Sequence, residues 1–156
     1  MLLTHTPSFP NFIVLADDDA DDRQLFCEAV LLLNPSIRLQ LLNEGEALIT
    51  YLKNEQHQLP ELIFLDLNMP KLNGFECLEE IRKDKRLSKL PVIIFSTSGQ
   101  NKDIMESMQK GANLYFIKPT GLLELSQKLK NIFELDFKDY QPKVALNRFV
   151  IQDGMN

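Results

Sequence analysis

Five short apolar runs punctuate the chain: Phe12 to Ala16, Ile37 to Leu42 in looser alternation, Leu62 to Leu65, Val92 to Phe95, and Leu114 to Ile117. Three of them are near-continuous, the pattern of strands buried on both faces. Between and after them apolar residues recur at helical spacing. The first set is Leu25, Ala29, Leu32 and Leu33; the second is Leu48, Tyr51 and Leu52; the third is Phe75, Leu78 and Ile81. Ile104 and Met108 mark a fourth helix, and Leu122, Leu125, Leu129, Ile132 and Phe133 a fifth.

Strands alternating with helices predict a parallel sheet, because parallel neighbours need a crossover and right-handed crossovers place helices on either face. The fold class is therefore α/β, five strands covered by helices on both faces. Local signals agree. Asn43 is placed to cap the second helix, Pro60 and Pro91 precede strands, and Asn73-Gly74 can turn the chain after the third strand. Beyond the fifth helix the tail contains the apolar stretch Phe149, Val150 and Ile151, read as an added strand or flap that packs on the domain or mediates contacts. The expected division is an N-terminal extension over 1–10, a single domain over 11–135 and a tail over 136–156.

Length and composition narrow the function. A chain of 156 residues with 44% hydrophobic content supports one core, and a net charge of -5 argues against a phosphate-neutralising nucleic-acid surface. The opening MLLTHTPSFPNF has no basic segment ahead of an apolar stretch, and no apolar run approaches the roughly 18 residues of a membrane span. A cytoplasmic protein that binds neither nucleic acid nor membrane is the expectation. Cys27 and Cys77 lack disulfide density and zinc spacing and are read as reduced helix residues. His5 and His57 lie far apart, outside any motif, and are read as surface residues.

The chemistry sits where the apolar runs stop. In open α/β sheets ligands bind outside the carboxyl ends of the strands. Here the first strand ends in Asp17-Asp18-Asp19, the third in Asp66, the fourth in Ser96-Thr97 and the fifth in Lys118-Pro119. One carboxylate after a strand is ordinarily a helix cap or a solvated loop residue. Parallel strands, however, bring all four ends to one edge. Such carboxylates repel one another, and a hard cation resolves the repulsion: Mg²⁺ takes oxygen ligands and commonly binds one or two carboxylates together with phosphate. Asp17, Asp18 and Asp66 carry roughly -3, which one Mg²⁺ and Lys118 bring to about zero. An aspartate can attack phosphorus to give an acyl phosphate, and phosphoryl transfer depends on alignment and surrounding charge. Asp66 is then the nucleophile, Asp17 and Asp18 hold the metal, Lys118 pairs with a phosphoryl oxygen and Ser96 donates to another.

The segments IVLADDDADDRQLF, LIFLDLNMPKLNGFECLEEIR, LPVIIFSTSG and GANLYFIKP, running from about Asn11 to Phe133, strongly resemble the receiver domains of two-component response regulators. The resemblance implies a doubly wound, flavodoxin-like sheet of order 2-1-3-4-5. It also implies phosphorylation of Asp66 by a histidine kinase or phosphotransfer protein, with Mg²⁺ or Mn²⁺ as cofactor. Asp17 and Asp18 match the acidic pair, and the backbone carbonyl of Asn68 matches a further metal ligand. Ser96 matches the switch hydroxyl, Tyr115 the aromatic that turns inward with it, and Lys118-Pro119 a pair whose peptide bond is typically cis. Asp19 falls outside the acidic pair and is read as a first-turn acid that complements the helix dipole. Thr97 is bulkier than the Ala or Gly often found after the switch hydroxyl, which bears on phosphoryl lifetime.

The implied protein is a signalling receiver with self-phosphorylation and self-dephosphorylation only, not an enzyme acting on other substrates. It would have no DNA-binding output domain and would act on an unidentified downstream protein, with homodimerisation left open. Two rivals remain. A phosphate-independent binding module of the same fold is opposed by the intact set of Asp17, Asp18, Asp66, Ser96 and Lys118. An aspartyl-phosphate phosphohydrolase would carry a second Asp where this chain has Asn68.

Overall fold

A computed structural model of the chain describes residues 9–137 and 149–152. Its elements are β1 (Phe12–Ala16), α1 (Ala20–Leu33), β2 (Arg38–Leu42), α2 (Gly45–Lys53), β3 (Leu62–Leu65), α3 (Gly74–Lys83), β4 (Val92–Ser96), α4 (Asn101–Gln109), β5 (Leu114–Ile117), α5 (Leu122–Phe133) and β6 (Val150–Ile151). All strand pairs are parallel, in the order β2-β1-β3-β4-β5-β6.

Period-two alternation divides the core into two layers. Val14, Ala16, Ile63, Leu65, Ile94 and Tyr115 face α2, α3 and α4, where they meet Leu48, Leu52, Cys77, Leu78, Ile81 and Ile104. Ile13, Leu15, Phe64, Ile93, Phe95 and Phe116 face the other way, onto Phe26, Ala29 and Val30 of α1 and Leu125, Leu129, Ile132 and Phe133 of α5. The strands read as unbroken apolar runs because both faces are covered. β2, at the sheet edge, is half-exposed and reads as the looser alternation seen in its sequence.

The sheet has six strands rather than five. β5 would otherwise present an unpaired edge, and the tail covers it: Tyr115 pairs with Val150 and Phe116 with Ile151, while Phe149 is fully buried. Residues 1–8, 138–148 and 153–156 are outside the described residues, and with them His5 and most of the expected extension and tail.

Three local expectations change. Glu44, not Asn43, is the N-cap of α2, and it makes no side-chain cap bond. Asn73-Gly74 does not turn the chain but starts α3: Asn73 accepts from the Glu76 N–H at 3.0 Å while Glu76 accepts from the Asn73 N–H at 3.1 Å, a reciprocal cap. The reversal falls on Lys71, which holds a left-handed φ of 65°. Third, the Lys118-Pro119 bond is trans, since no cis peptide bond occurs among the described residues. Trans is the lower-energy isomer of an X-Pro bond by about 0.5–1 kcal/mol. Cys27 and Cys77 are free thiols on α1 and α3, as read from the sequence.

A cavity of about 490 Å³ opens among Pro10, Asn11, Pro60, Glu61, Lys89 and Phe133, residues that precede strands or end α5. It lies at the rim opposite the strand-end carboxylates.

Candidate functional site at the carboxyl ends of the strands

Register decides which strand ends meet. Ala16 pairs with Leu65 across β1–β3, so the next residues, Asp17 and Asp66, leave the sheet side by side. The Asp66 N–H reaches the Ala16 carbonyl at 2.9 Å, and the Asp17 N–H reaches the Leu42 carbonyl at 3.0 Å, which extends the ladder to both acids. Carboxylate oxygens of Asp17, Asp18 and Asp66 lie within 4.8 Å of one another. Asp17 is fully buried, Asp66 is 5% exposed and Asp18 is exposed.

Lys118 enters from the end of β5, where Ser96 pairs with Ile117 and the Lys118 N–H reaches the Ser96 carbonyl at 2.8 Å. Its ammonium is 2.8 Å from Asp17 Oδ2, 2.8 Å from Asp22 Oδ2 and 3.9 Å from Asp66 Oδ1. Burial lowers the affinity of this lysine for its proton, but its close pairing with Asp17 and Asp22 and the charge of Asp66 more than offset that and hold its pKa above the usual value. Asp66 moves the opposite way from an ordinary carboxylate. Burial pushes it up to about 7, against the pull of Lys118 and with further help from the charge of Asp17.

The Asn68 N–H points back to Asp66 Oδ1 at 3.4 Å, so the loop after β3 curls around the acceptor carboxylate. Gly74 makes that curl feasible: a Cβ there would lie 2.3 Å from the Asp66 carbonyl oxygen and 2.7 Å from Leu67 Cα. Only a residue without a side chain lets α3 approach so closely.

Ser96 ends β4 fully buried, and its Oγ accepts from the Ser98 N–H at 3.1 Å. Tyr115 is also fully buried and donates its phenol to the Ser98 carbonyl at 2.8 Å. Burial raises the phenol pKa, with Ser96 and Ser98 opposing the rise. Thr97 is exposed beside them.

The strand ends thus bring Asp17, Asp18, Asp66 and Lys118 together and set Ser96 and Tyr115 on the two adjacent strands. Sequence reasoning missed Asp22 and Ser98. Asp22 stands three residues after Asp19, the spacing of an acid in a helix first turn, and nothing in that spacing announces Lys118. Ser98 contributes mainly backbone atoms, to which any residue type gives access. Asp19 is the N-cap of α1 rather than a first-turn acid, accepting from the Asp21 and Asp22 N–H groups at 2.9 and 3.1 Å. His57 is half-buried, stacked on Tyr51 with its Nδ1 3.0 Å from the Tyr51 carbonyl, and is remote in role from the carboxylates.

The donor set fits a hard divalent cation. It is all oxygen and partly buried, with one carboxylate oxygen from each acid within 4.8 Å of the others. Such an ion would also relieve the burial penalty on Asp66.

The model of the response regulator receiver domain matches residues 13–130. The chain belongs to that family. Among curated relatives, this receiver is 30% identical over 128 residues to the probable methanogenesis regulatory protein FilR2 of Methanothrix harundinacea, covering 80% of this chain and 83% of that one. It is 32% identical over 127 residues to response regulator Rcp1 of Synechocystis sp., covering 79% and 86%. Among solved structures, the phosphorylated cyanobacterial phytochrome response regulator RcpA superposes on this receiver with a TM-score of 0.72 at 33% identity, over 78% of this chain and 90% of that one. The Mn(2+)-bound form of Rcp1 gives 0.71 at 31%, over 79% and 91%. As a response regulator receiver, the chain is a component of two-component signalling, whose receivers work with histidine kinases or phosphotransfer proteins. No helix among the described residues is long and apolar enough to cross a membrane.

Proposed function

We propose that this receiver accepts a phosphoryl group on Asp66 from a phosphohistidine of a histidine kinase or phosphotransfer protein, and that the modified state selects a downstream protein. The observation that carries the reading is the meeting of Asp17, Asp18 and Asp66 within 4.8 Å beside the Lys118 ammonium. A carboxylate oxygen of Asp66 forms the new bond to phosphorus while the bond from phosphorus to the donor nitrogen breaks and the imidazole leaves.

Asp17 and Asp18, with Asp66 and the backbone carbonyl of Asn68, would hold Mg²⁺ or Mn²⁺, which supplies positive charge against the transferring oxygens. Support for that assignment comes from the oxygen-only donor set and from the Mn(2+)-bound form of the relative Rcp1. Lys118 pairs with one phosphoryl oxygen. Ser96 donates to another, giving up the Ser98 N–H it now accepts. Transfer replaces one carboxylate charge with about -2, enough to draw both groups inward. Ser96 shares Ser98 with Tyr115, so the change is passed to the segment before α4. The receiver comprises residues 11–135, with 136–156 as a tail whose strand β6 closes the sheet.

The test is incubation with a small acyl phosphate and Mg²⁺, read by intact mass. One base-labile phosphoryl gain is expected, absent in Asp66→Asn and absent when EDTA replaces Mg²⁺. A gain that persists in Asp66→Asn overturns the assignment. Turnover of a phosphate ester would instead favour a phosphohydrolase, which the amide of Asn68 makes a poor one: an amide cannot exchange a proton as the carboxyl expected there would.

A further inference from the structure

Asp22 occupies the third position of α1, where an acid would ordinarily complete a reciprocal cap by accepting from the N-cap N–H. α3 does this with Asn73 and Glu76. α1 does not: the N-cap N–H of Asp19 goes to Asp17 Oδ1 at 3.0 Å, which leaves the Asp22 carboxylate without that partner. Asp22 instead reaches across to the end of β5 and holds Lys118 Nζ at 2.8 Å.

The lysine is 8% exposed and Asp22 33%, so the contact is partly shielded from water. Its ammonium lies 2.8 Å from both Asp17 Oδ2 and Asp22 Oδ2, only the Asp22 contact having hydrogen-bond geometry, and stays 3.9 Å from Asp66, beyond hydrogen-bond reach. This is the wrong distribution for a lysine that serves only the acceptor carboxylate. It is the right one for a lysine kept off it.

We infer that Asp22 is a positioning residue that tethers Lys118 away from Asp66, so that the ammonium does not compete with a divalent cation for the Asp17 and Asp66 carboxylates. The inference rests on the reading of those carboxylates as the metal-holding set. Both Asp17 oxygens are already engaged, Oδ1 by the Asp19 N–H at 3.0 Å and Oδ2 by the ammonium at 2.8 Å, so a cation at Asp17 competes with Lys118. When Asp17 turns to the cation, Asp22 remains as the lysine's counter-ion at the rim, and Lys118 keeps N–H groups free for an incoming phosphoryl oxygen. Without Asp22, Lys118 settles between Asp17 and Asp66, and cation entry must displace it.

The experiment titrates Mg²⁺ by calorimetry into the unmodified chain and into Asp22→Asn, Asp22→Glu and Asp21→Asn. Asp21→Asn removes the same charge from the same helix turn at an exposed position. In parallel, the Lys118 ¹⁵Nζ resonance is followed by NMR in metal-free protein and during the titration. Asp22→Asn is expected to weaken Mg²⁺ binding about fivefold, the size of a partly exposed ion pair, with recovery in Asp22→Glu and less than half that effect in Asp21→Asn. The slowly exchanging Lys118 resonance should persist with Mg²⁺ in the unmodified chain and be lost in Asp22→Asn. Should Asp22→Asn not fold, Asp22→Ser carries the same comparison. Equal Mg²⁺ affinity in Asp22→Asn and the unmodified chain, or an equal effect of Asp21→Asn, overturns the inference. The phosphoacceptor reading fails separately, if the unmodified chain binds Mg²⁺ and gains no phosphoryl group.

Discussion

The phenol of Tyr115 and the carbonyl of Ser98 are joined by a 2.8 Å hydrogen bond, and the Ser98 N–H is held in turn by Ser96 Oγ at 3.1 Å. One residue of the segment between β4 and α4 therefore answers to side chains on two neighbouring strands. Ser98 Oγ also donates to Asp103 Oδ2 at 2.6 Å, which ties the same residue to the first turn of α4. On its far side Tyr115 pairs with Val150, so the tail strand lies against the same tyrosine.

Tyr115→Phe removes the phenolic donor and leaves the Ser98 carbonyl to find water. A loss of about 1 kcal/mol is expected, read as a lower urea midpoint with an unchanged slope. The Gln100 N–H, which Ser98 Oγ accepts at 3.2 Å, should exchange faster with solvent. Unchanged exchange there would separate Tyr115 from the loop.

Asp66 makes metal-free stability fall with rising pH. The native side chain keeps its proton up to about 7, whereas its ordinary value is 3.8, so between those values the unfolded chain binds fewer protons and stability declines. Below 3.8 both states are protonated and the penalty vanishes; above about 7 it is present in full. Asp66→Asn is therefore expected to be more stable than the parent at pH 8 by on the order of 3 kcal/mol, with the gap closing as pH falls towards 4. Mg²⁺ should shrink the gap at pH 8. Thermal unfolding across pH, with and without Mg²⁺, checks both.

Gly74→Ala places a methyl 2.3 Å from the Asp66 carbonyl oxygen. The obstacle is backbone, not a flexible side-chain end, so the loop carrying Asp66 and Asn68 must move. A destabilisation of about 1–3 kcal/mol is expected, together with weaker Mg²⁺ binding. Calorimetry on folded Gly74→Ala measures the second effect apart from the first.

Phe149→Ala tests whether the tail is part of the fold. Phe149 is fully buried in the layer that holds Tyr115 and Ile94. Truncating a buried phenylalanine costs about 3–5 kcal/mol, and a loss of that size in urea unfolding is expected. A loss under about 1 kcal/mol would mean that β6 sits on the sheet edge without closing it.

Most of the architecture was legible because both faces of the sheet are covered. Continuous apolar runs such as Phe12 to Ala16 and Leu62 to Leu65 are strands in the structure at the same bounds. Helical spacing located all five helices for the same reason, each having one face against the sheet, although Leu32 of the first set is 61% exposed and Phe26 and Val30 are buried in its place. What failed was local and depended on geometry. Asn43, Asn73 and Gly74 are turn or cap residues by type, but which of those roles each takes depends on where α2 and α3 meet the sheet. Lys71 carries the left-handed turn although its residue type gives no hint of it.

By itself the order of residues determined an α/β chain with acids, a hydroxyl and an amine at the ends of its strands, because a side chain's polarity and its place after an apolar run are properties of the linear chain. Only the tertiary structure decided that Lys118 is shared with Asp22, that Tyr115 and Ser96 meet at Ser98, and that β6 joins β5. Each of these depends on distances between segments far apart in sequence, set by register and packing, and no local pattern encodes a distance.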